Sequence, residues 1–387
     1  MADEAGKSRR VAIVYHYFAH YRRPVFFELI EHGEHHYEFL GCDHAFGSGI
    51  KLIEDFPEGR FRKIRGWWPG PFLLQPGAVL AAIGSRYDTL VLLGDSKWPT
   101  TWLAAIAGRL RGKRVLMWTH GWLREEYGLQ RRFRDRFYKL ASGLLLYHNR
   151  AKSIGIAHGF RPERMHVIYN SLDTKAQRAV ADEITDAQVA ELRSSAFPGS
   201  EGTPIVVSVT RLLPEKKLDQ LIDAAAVLKE RGSPINVMIA GDGPERERLE
   251  AQARDKGVRV HFAGAVYDER VLGTMFRSAD LTVMPGAIGL LVMHSLVFGT
   301  PVVSHNNFDR QGPEYEAIVE GVTGGFFEED SVESLADAIA KWTSDDSVKA
   351  RGRDESRSII DRFYNPSTQR ELIDRAVSGR PPEVEEA

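Results

Sequence analysis

The sequence predicts an α/β protein made of two doubly wound domains, each with a parallel sheet. Three observations carry this. Short apolar strand-like runs alternate with helix-length segments twice along the 387 residues. Runs such as 87–94 (YDTLVLLG) and 281–284 (LTVM) are apolar on both faces, as in a sheet covered on both sides. Charge is unevenly divided: residues 1–180 carry 28 Lys and Arg against 17 Asp and Glu, net +11, and the remainder is net −13. That split suggests two bodies with different tasks.

Composition sets the outer bounds. With 43% hydrophobic and 27% charged residues the chain reads as an ordinary globular protein. The lone cysteine, Cys42, excludes an internal disulfide and fits a reducing, cytoplasmic compartment. The first ten residues, MADEAGKSRR, have no apolar core of a secretory signal. No run of 18 apolar residues is present, so no spanning helix is expected. The basic half suits an anionic membrane surface, an acidic substrate or nucleic acid, and equally a solvated surface with no partner.

The first half, taken in order, opens with a buried strand at 11–15 and a loop, 16–24, that is too aromatic and basic for a plain connector. A helix over 25–31 and strands at 37–42 and 60–65 follow. Residues 66–72 (GWWPGPF) form a Pro/Gly loop whose aromatics suit an interface or membrane surface, or a loop packed on itself. Strands at 87–94 and 114–119 flank a helix at 99–110. In open α/β sheets ligands bind beyond the carboxyl ends of strands, which places His16, Asp95 and His120 on one rim. The basic helix over 129–140 sets Leu129, Phe133, Phe137 and Leu140 on one face; it reads as a core face with solvated charges, or as a membrane-surface helix. A strand at 143–147, a helix near 151–158 and a strand at 167–169 complete the first body.

The polar stretch 174–203 is read as the boundary region, giving domains of 1–178 and 179–363. A helix at 364–378 is expected to pack back on the first domain, ahead of a disordered tail, 379–387. The second alternation runs through strands at 205–210, 235–240, 258–262 and 281–284, with helices at 218–231, from 245, and at 268–278 between them. Residues 285–289 (PGAIG) turn the last strand into an apolar helix, 290–298, which Gly299 and Pro301 end. Amides at such a helix start attract phosphate. Arg211 and Lys216 lie at the end of the 205–210 strand and would supply cations to the same rim, as a diphosphate site requires. His294 is the one polar misfit inside the apolar helix, either a satisfied core histidine or a ligand contact. No phosphate loop of the Walker type and no Cys/His cluster with metal spacing is found.

Six motifs in order carry a family resemblance. Residues 208–219 (SVTRLLPEKKLD) resemble the "GRL…KG.D" segment of the retaining GT-B glycosyltransferases, group 4. Residues 241–244 (GDGP) resemble its "G.GP", 262–266 (FAGAV) its "F.G.v", 170–173 (NSLD) its "NGvD", 299–303 (GTPVV) its "G.PVV", and 316–324 (EAIVEGVTG) its "E…dG.tG". The resemblance is strong over 160–330 and weaker over 10–160.

The resemblance implies two Rossmann-like domains facing a cleft, with the nucleotide sugar on the second and the acceptor on the first. It implies that Arg211 and Lys216 neutralise the leaving diphosphate and that His120 lies near the donor sugar. Donor contacts would come from Asp242, Gly243, Val266, Gly286, Gly289, Leu290, Leu291 and His294, and acceptor contacts from His16, His20, Tyr21 and Arg22. No cofactor or metal is expected, since cations and helix ends replace it. The expected partners are a nucleotide-diphosphate sugar and a glycan or lipid-linked acceptor, with peripheral contact at the inner membrane face and no nucleic acid. The chain departs from the family where two glutamates spaced E-x7-E are usual: Gly286 and His294 stand there. A glycosyltransferase of a variant subfamily, one acting on a soluble small acceptor, and a degenerate binding scaffold all follow from that pattern.

Overall fold

The computed structural model describes residues 7–45, 50–200 and 202–382. The chain divides into two compact units, one reaching Asp173 and resuming at Asn365, the other Thr174–Tyr364. The crossover precedes the break read from composition, because the helices after Asp173 pack on a helix of the second unit.

The first unit alternates strand and helix: β1 (Arg10–Tyr17), α1 (Arg23–His32), β2 (His36–Cys42), β3 (Phe61–Lys63), α2 (Pro76–Ile83), β4 (Thr89–Leu93), α3 (Pro99–Leu110), β5 (Arg114–Thr119), α4 (Gly128–Tyr138), β6 (Gly143–Leu146), α5 (Asn149–Ala157) and β7 (Met165–Val167). All strands are parallel, in the order β3-β2-β1-β4-β5-β6-β7. The order reverses between β1 and β4, whose Val11 and Thr89 are register partners. Successive side chains of a strand point to opposite faces. On β1, Val11, Ile13 and Tyr15 therefore join a core under α1, whereas Ala12 and Val14 join a second core under α2–α5. Both faces are covered, which is why β1 is apolar at every central position.

The second unit holds α6 (Thr174–Glu183), α7 (Asp186–Ala196), β8 (Ile205–Val209), α8 (Leu218–Glu230), β9 (Asn236–Ala240), α9 (Arg246–Asp255), β10 (Val260–Gly264), α10 (Glu269–Ser278), β11 (Leu281–Met284), α11 (Leu291–Val297), β12 (Val302–His305), β13 (Gly324–Phe327), α12 (Val332–Thr343) and α13 (Asp346–Arg362). Its parallel sheet runs β10-β9-β8-β11-β12-β13, with the same reversal between its first and fourth strands. The last helix, α14 (Pro366–Ser378), is part of the first unit. Asn365 caps it, and Gly379 ends it in the left-handed region at φ 84°. Tyr37 donates to the buried Asp374 carboxylate at 2.7 Å, and Gln369 accepts from Ser171 Oγ at 2.7 Å. The expected tail, 379–387, lies mostly outside the described residues.

Several elements carry no clear signal in the sequence. Strand β13 is Gly-Gly-Phe-Phe; a Cβ at Gly324 would lie 1.8 Å from the Val302 carbonyl oxygen, so close strand approach selects glycine against β propensity. Helix α2 lies in a stretch that resembles a loop because of Pro76 and Gly77. Helix α4 splits its apolar face. Phe137 is buried with Trp122, while Leu129 and Phe133 are exposed.

Candidate functional site

The second unit builds a rim where its strand order reverses. Beyond β8, residues 210–217 turn through a short 3-10 segment, and Lys217 sits at φ 51°. Beyond β11, residues 285–290 lead into α11. The two loops touch directly. Gly286 N–H donates to the Lys216 carbonyl at 3.0 Å, and Lys216 Nζ donates to the Ala287 carbonyl at 3.0 Å. A Cβ at Gly286 would lie 2.2 Å from the Glu215 carbonyl oxygen and 2.8 Å from Lys216 Cα. Glycine at 286 is therefore what permits this approach, and any side chain there would displace the Lys216 loop.

The two neighbouring lysines separate in role. Lys217 Nζ is committed to Glu329 at 3.0 Å and Asp330 at 2.7 Å. Lys216 is half-buried, and burial pushes its ammonium below the ordinary lysine range. Arg211 is exposed at the end of the same loop. Gln311, distant in sequence and buried, accepts from Ile288 N–H at 2.8 Å and donates to Ser304 Oγ and the His305 carbonyl, each at 2.9 Å, pinning the 285–290 turn. Gly289, Leu290 and Leu291 form the start of α11, whose first N–H groups have no intrahelical acceptor. This helix is seven residues long, shorter at both ends than the 290–298 segment expected.

His294 is engaged. The Gln177 amide nitrogen lies 2.9 Å from its Nδ1 and 2.8 Å from Glu269 Oε1, and Glu269 is 3.6 Å from the same imidazole nitrogen. Burial would raise the Glu269 carboxyl; its bonds to His294 and Gln177 outweigh that and hold it below the usual carboxylate value. Gln177 and Glu269 were absent from the sequence reading, since nothing local marks a glutamine on α6 as a neighbour of α11. Asp242 accepts from Gly243 N–H at 2.8 Å, and a Cβ at Gly243 would meet the Leu212 carbonyl oxygen at 2.4 Å, so the β9 loop also closes on the β8 loop. Val266 is half-buried just beyond β10.

In the first unit, His16 is the penultimate residue of β1, Arg22 lies in the loop after it, His120 follows β5 and Tyr147 follows β6. Arg22 lies over the Trp118 and Tyr147 rings, at 5.6 and 5.2 Å, and the His120 and Tyr147 rings are 4.9 Å apart. Burial, then the Arg22 charge, pushes the imidazole of His16 down to about 4. Exposed on one side but closely surrounded on the others, His120 is also held down to about 4, by burial first, then Arg22 and His148. His20 is exposed and lies with Nδ1 3.2 Å from the Lys51 carbonyl oxygen, and Tyr21 is half-buried beside it. Tyr147 was missed in the sequence, where it reads only as the end of an apolar strand.

The outer faces of α2, α3 and α4 are apolar and wet. Leu80 is 69% exposed, Leu110 83%, Leu129 82% and Phe133 53%. Leu103, Ile106, Ile83 and, in the preceding loop, Trp67 and Phe72 are exposed too. Among the described residues, no group of three or more His, Cys, Asp or Glu side chains is arranged to hold a metal, and no helix is long and apolar enough to cross a membrane.

Two parallel doubly wound units, each reversing its strand order between its first and fourth strands, define the GT-B fold class. Solved structures agree: Anabaena Alr3699/HepE in complex with UDP superposes with a TM-score of 0.69 at 19% identity, covering 96% of this chain and 99% of that one. A glycosyltransferase from Rickettsia africae gives a TM-score of 0.70 at 12% identity, with 96% and 99% covered. Residues 192–359 match the family described as "Glycosyl transferases group 1". An alpha-D-kanosaminyltransferase of Streptomyces kanamyceticus is 31% identical over 175 residues, 44% of either chain. A GDP-mannose-dependent alpha-(1-6)-phosphatidylinositol dimannoside mannosyltransferase of Mycobacterium tuberculosis is 38% identical over 102 residues, 26% of either chain. The chain thus spans less than half the length of these curated relatives.

Proposed function

We propose that the protein is a retaining glycosyltransferase that moves a sugar from a UDP- or GDP-linked donor to a glycan or lipid-linked acceptor in bacterial glycan synthesis. The observation that carries this reading is the rim at the sheet reversal of the second unit, inside the segment that matches the family, where Lys216 bridges two loops beside the exposed Arg211. Arg211 and Lys216 neutralise the departing diphosphate, with the amides of Gly289, Leu290 and Leu291 as further donors. Gly286 contributes backbone only, and His294 meets the donor through the imidazole edge that Gln177 leaves open. Asp242, Gly243 and Val266 flank the nucleoside, and His120 stands by the transferred sugar. His16, His20, Tyr21 and Arg22 face the acceptor. No metal is required in this scheme, because cations and helix-end amides take the diphosphate charge. The nucleotide class is supported by relatives described as GDP-mannose-dependent and by structural neighbours solved with UDP or UDP-glucose.

The acceptor reading extends to peripheral contact with an anionic membrane. Exposed Leu103, Ile106, Leu110, Leu129 and Phe133 stand among exposed Arg111, Arg132 and Arg136, the pairing of apolar and basic groups that a bilayer surface favours. The decisive experiment offers the purified protein a panel of labelled UDP- and GDP-sugars. Binding with hydrolysis or transfer of one of them is expected, and neither with any donor sinks the proposal. A second reading, a binding scaffold without turnover, is favoured by Gly286, which has no room for a carboxylate side chain. Transfer that vanishes in Lys216→Ala excludes it.

A further inference from the structure

Among the described residues of the first unit, Arg22 is a largely enclosed cation with no carboxylate in ion-pair contact. Two arginines sit side by side at the start of α1. Arg23 is exposed and donates to Asp55, at 3.1 and 3.0 Å from Nε. Arg22 points inward, and its Nη1 is shut from solvent with no acceptor. The groups that favour its charge most are tyrosine oxygens rather than carboxylates. Burial works against that charge, and the Tyr147 hydroxyl, hydrogen-bonded to the guanidinium, favours it; an arginine keeps its proton in either case. An ion withdrawn from water without a counter-ion is costly, and folded proteins supply one or bind one.

The surroundings say what would complete it. His16 Nδ1 is also buried without a partner. His16 and His120 both carry imidazoles depressed in part by Arg22, so both are neutral at pH 7 and neither competes as a cation. The groups come from the ends of β1, β5 and β6, the carboxyl edge where parallel sheets bind ligands. Arg22 as a residue is only half-buried, so part of its side chain remains reachable.

We propose that Arg22, with His16, His120 and Tyr147, forms an anion site on the first unit that takes a phosphate or phosphoryl group. A planar guanidinium presents paired N–H donors that match phosphate oxygens, and two imidazoles and a phenol supply further hydrogen bonds, more than one carboxylate would use. The site stands on the first unit alone; only its part in transfer rests on the glycosyltransferase reading.

The test uses the full chain carrying Lys216→Ala, which weakens the anion rim of the second unit. Inorganic phosphate, set against chloride at matched ionic strength, is expected to raise the melting temperature of this protein. Adding Arg22→Gln is expected to weaken phosphate binding by about tenfold or more, with Arg22→Lys intermediate. Two further arms compare Arg22→Gln with wild type for a nucleoside diphosphate and for glycerol phosphate. A loss with the first marks the donor as the source of the anion, and a loss with the second marks the acceptor. The proposal is overturned if phosphate gives the Lys216→Ala protein no more stabilisation than chloride, or if a folded Arg22→Gln protein binds phosphate as well as its parent. Should Arg22→Gln fail to fold, the phosphate response of Lys216→Ala and the Arg22→Lys comparison still decide. None of these readouts needs sugar transfer, so failure here and failure of the transferase reading are separate results.

Discussion

The two units share one strand order and differ in what they put around it. Among the described residues, all but three of the exposed large apolar side chains belong to the first unit; Tyr267, Val271 and Val319 are the exceptions. The second unit dresses its helices in ion pairs instead, such as Arg231 with Asp337 and Arg246 with Glu250. Their rims differ as well. The second unit brings two backbones together through Gly286 and spans them with Lys216, leaving Arg211 exposed. The first unit sets a half-buried arginine among aromatic rings and neutral imidazoles. One topology can therefore carry two chemistries, because the reversal point fixes where a ligand lies and the loops decide which ligand it is.

The sharpest way to break this contrast is at Lys216. Lys216→Ala should lower kcat/KM for the donor by about 10²–10³-fold, the size seen when a group stabilising developing charge is removed. Steady-state kinetics on the donor found in the panel checks this, and an unchanged rate would remove the second rim from the chemistry. Next in size is Gly286→Ala. Its new methyl meets the Glu215 carbonyl oxygen at 2.2 Å, so the 210–217 and 285–290 loops must separate. A loss of about 1–3 kcal/mol in chemical denaturation is expected, with weaker nucleotide binding. Gly289→Ala is the matched control, since no atom lies within 4 Å of a Cβ there and stability should stay close to wild type.

The apolar exterior of the first unit gives the third prediction. Leu129→Ser and Phe133→Ser should each weaken co-sedimentation with anionic vesicles by about tenfold, roughly 1.5 kcal/mol of lost apolar burial. Because both residues are exposed, melting temperature should move little. Binding should also fall with salt, and equal retention on neutral vesicles would place the arginines outside the contact.

The smallest effect expected is with pH. His16 is held down to about 4 and the buried His166 to about 3, in each case by burial first, whereas an unfolded histidine titrates near 6.5. Between those values the unfolded chain binds more protons, so stability rises with pH. It is complete above about 6.5 and is lost as pH falls from there toward 4. Hydrogen exchange at pH 7 and pH 5 should show the first unit loosening more than the second. The reverse order would argue against the buried histidines as the cause.

Much of this was legible in the chain. The alternation of apolar runs with helix-length segments was enough for two parallel sheets, since strands covered on both faces must be apolar throughout and helices must bury one side. Helix α2 and strand β13 were not legible, because the proline and glycines at 76, 77 and 324 give no strand or helix signal unless the neighbouring element is known. The rim loops were visible as glycine turns after strands. Their interplay was not. That Lys216 rather than Lys217 reaches the opposite loop depends on a left-handed residue and on Glu329 and Asp330, more than a hundred positions away.

By itself the sequence determined the periodicity, the two charge-distinct halves, and the motifs that start and stop each helix. These are local properties, set by backbone preference and by side chains within a few residues. Only the tertiary structure decided that Gly286 has no room for a side chain, that Gln177 and Glu269 hold His294, that Gln311 pins the α11 turn, and that no described carboxylate pairs with Arg22. Each depends on which distant backbone or side chain arrives within a few ångströms. That is fixed by the strand order of the folded sheets, and no local pattern along the chain encodes it.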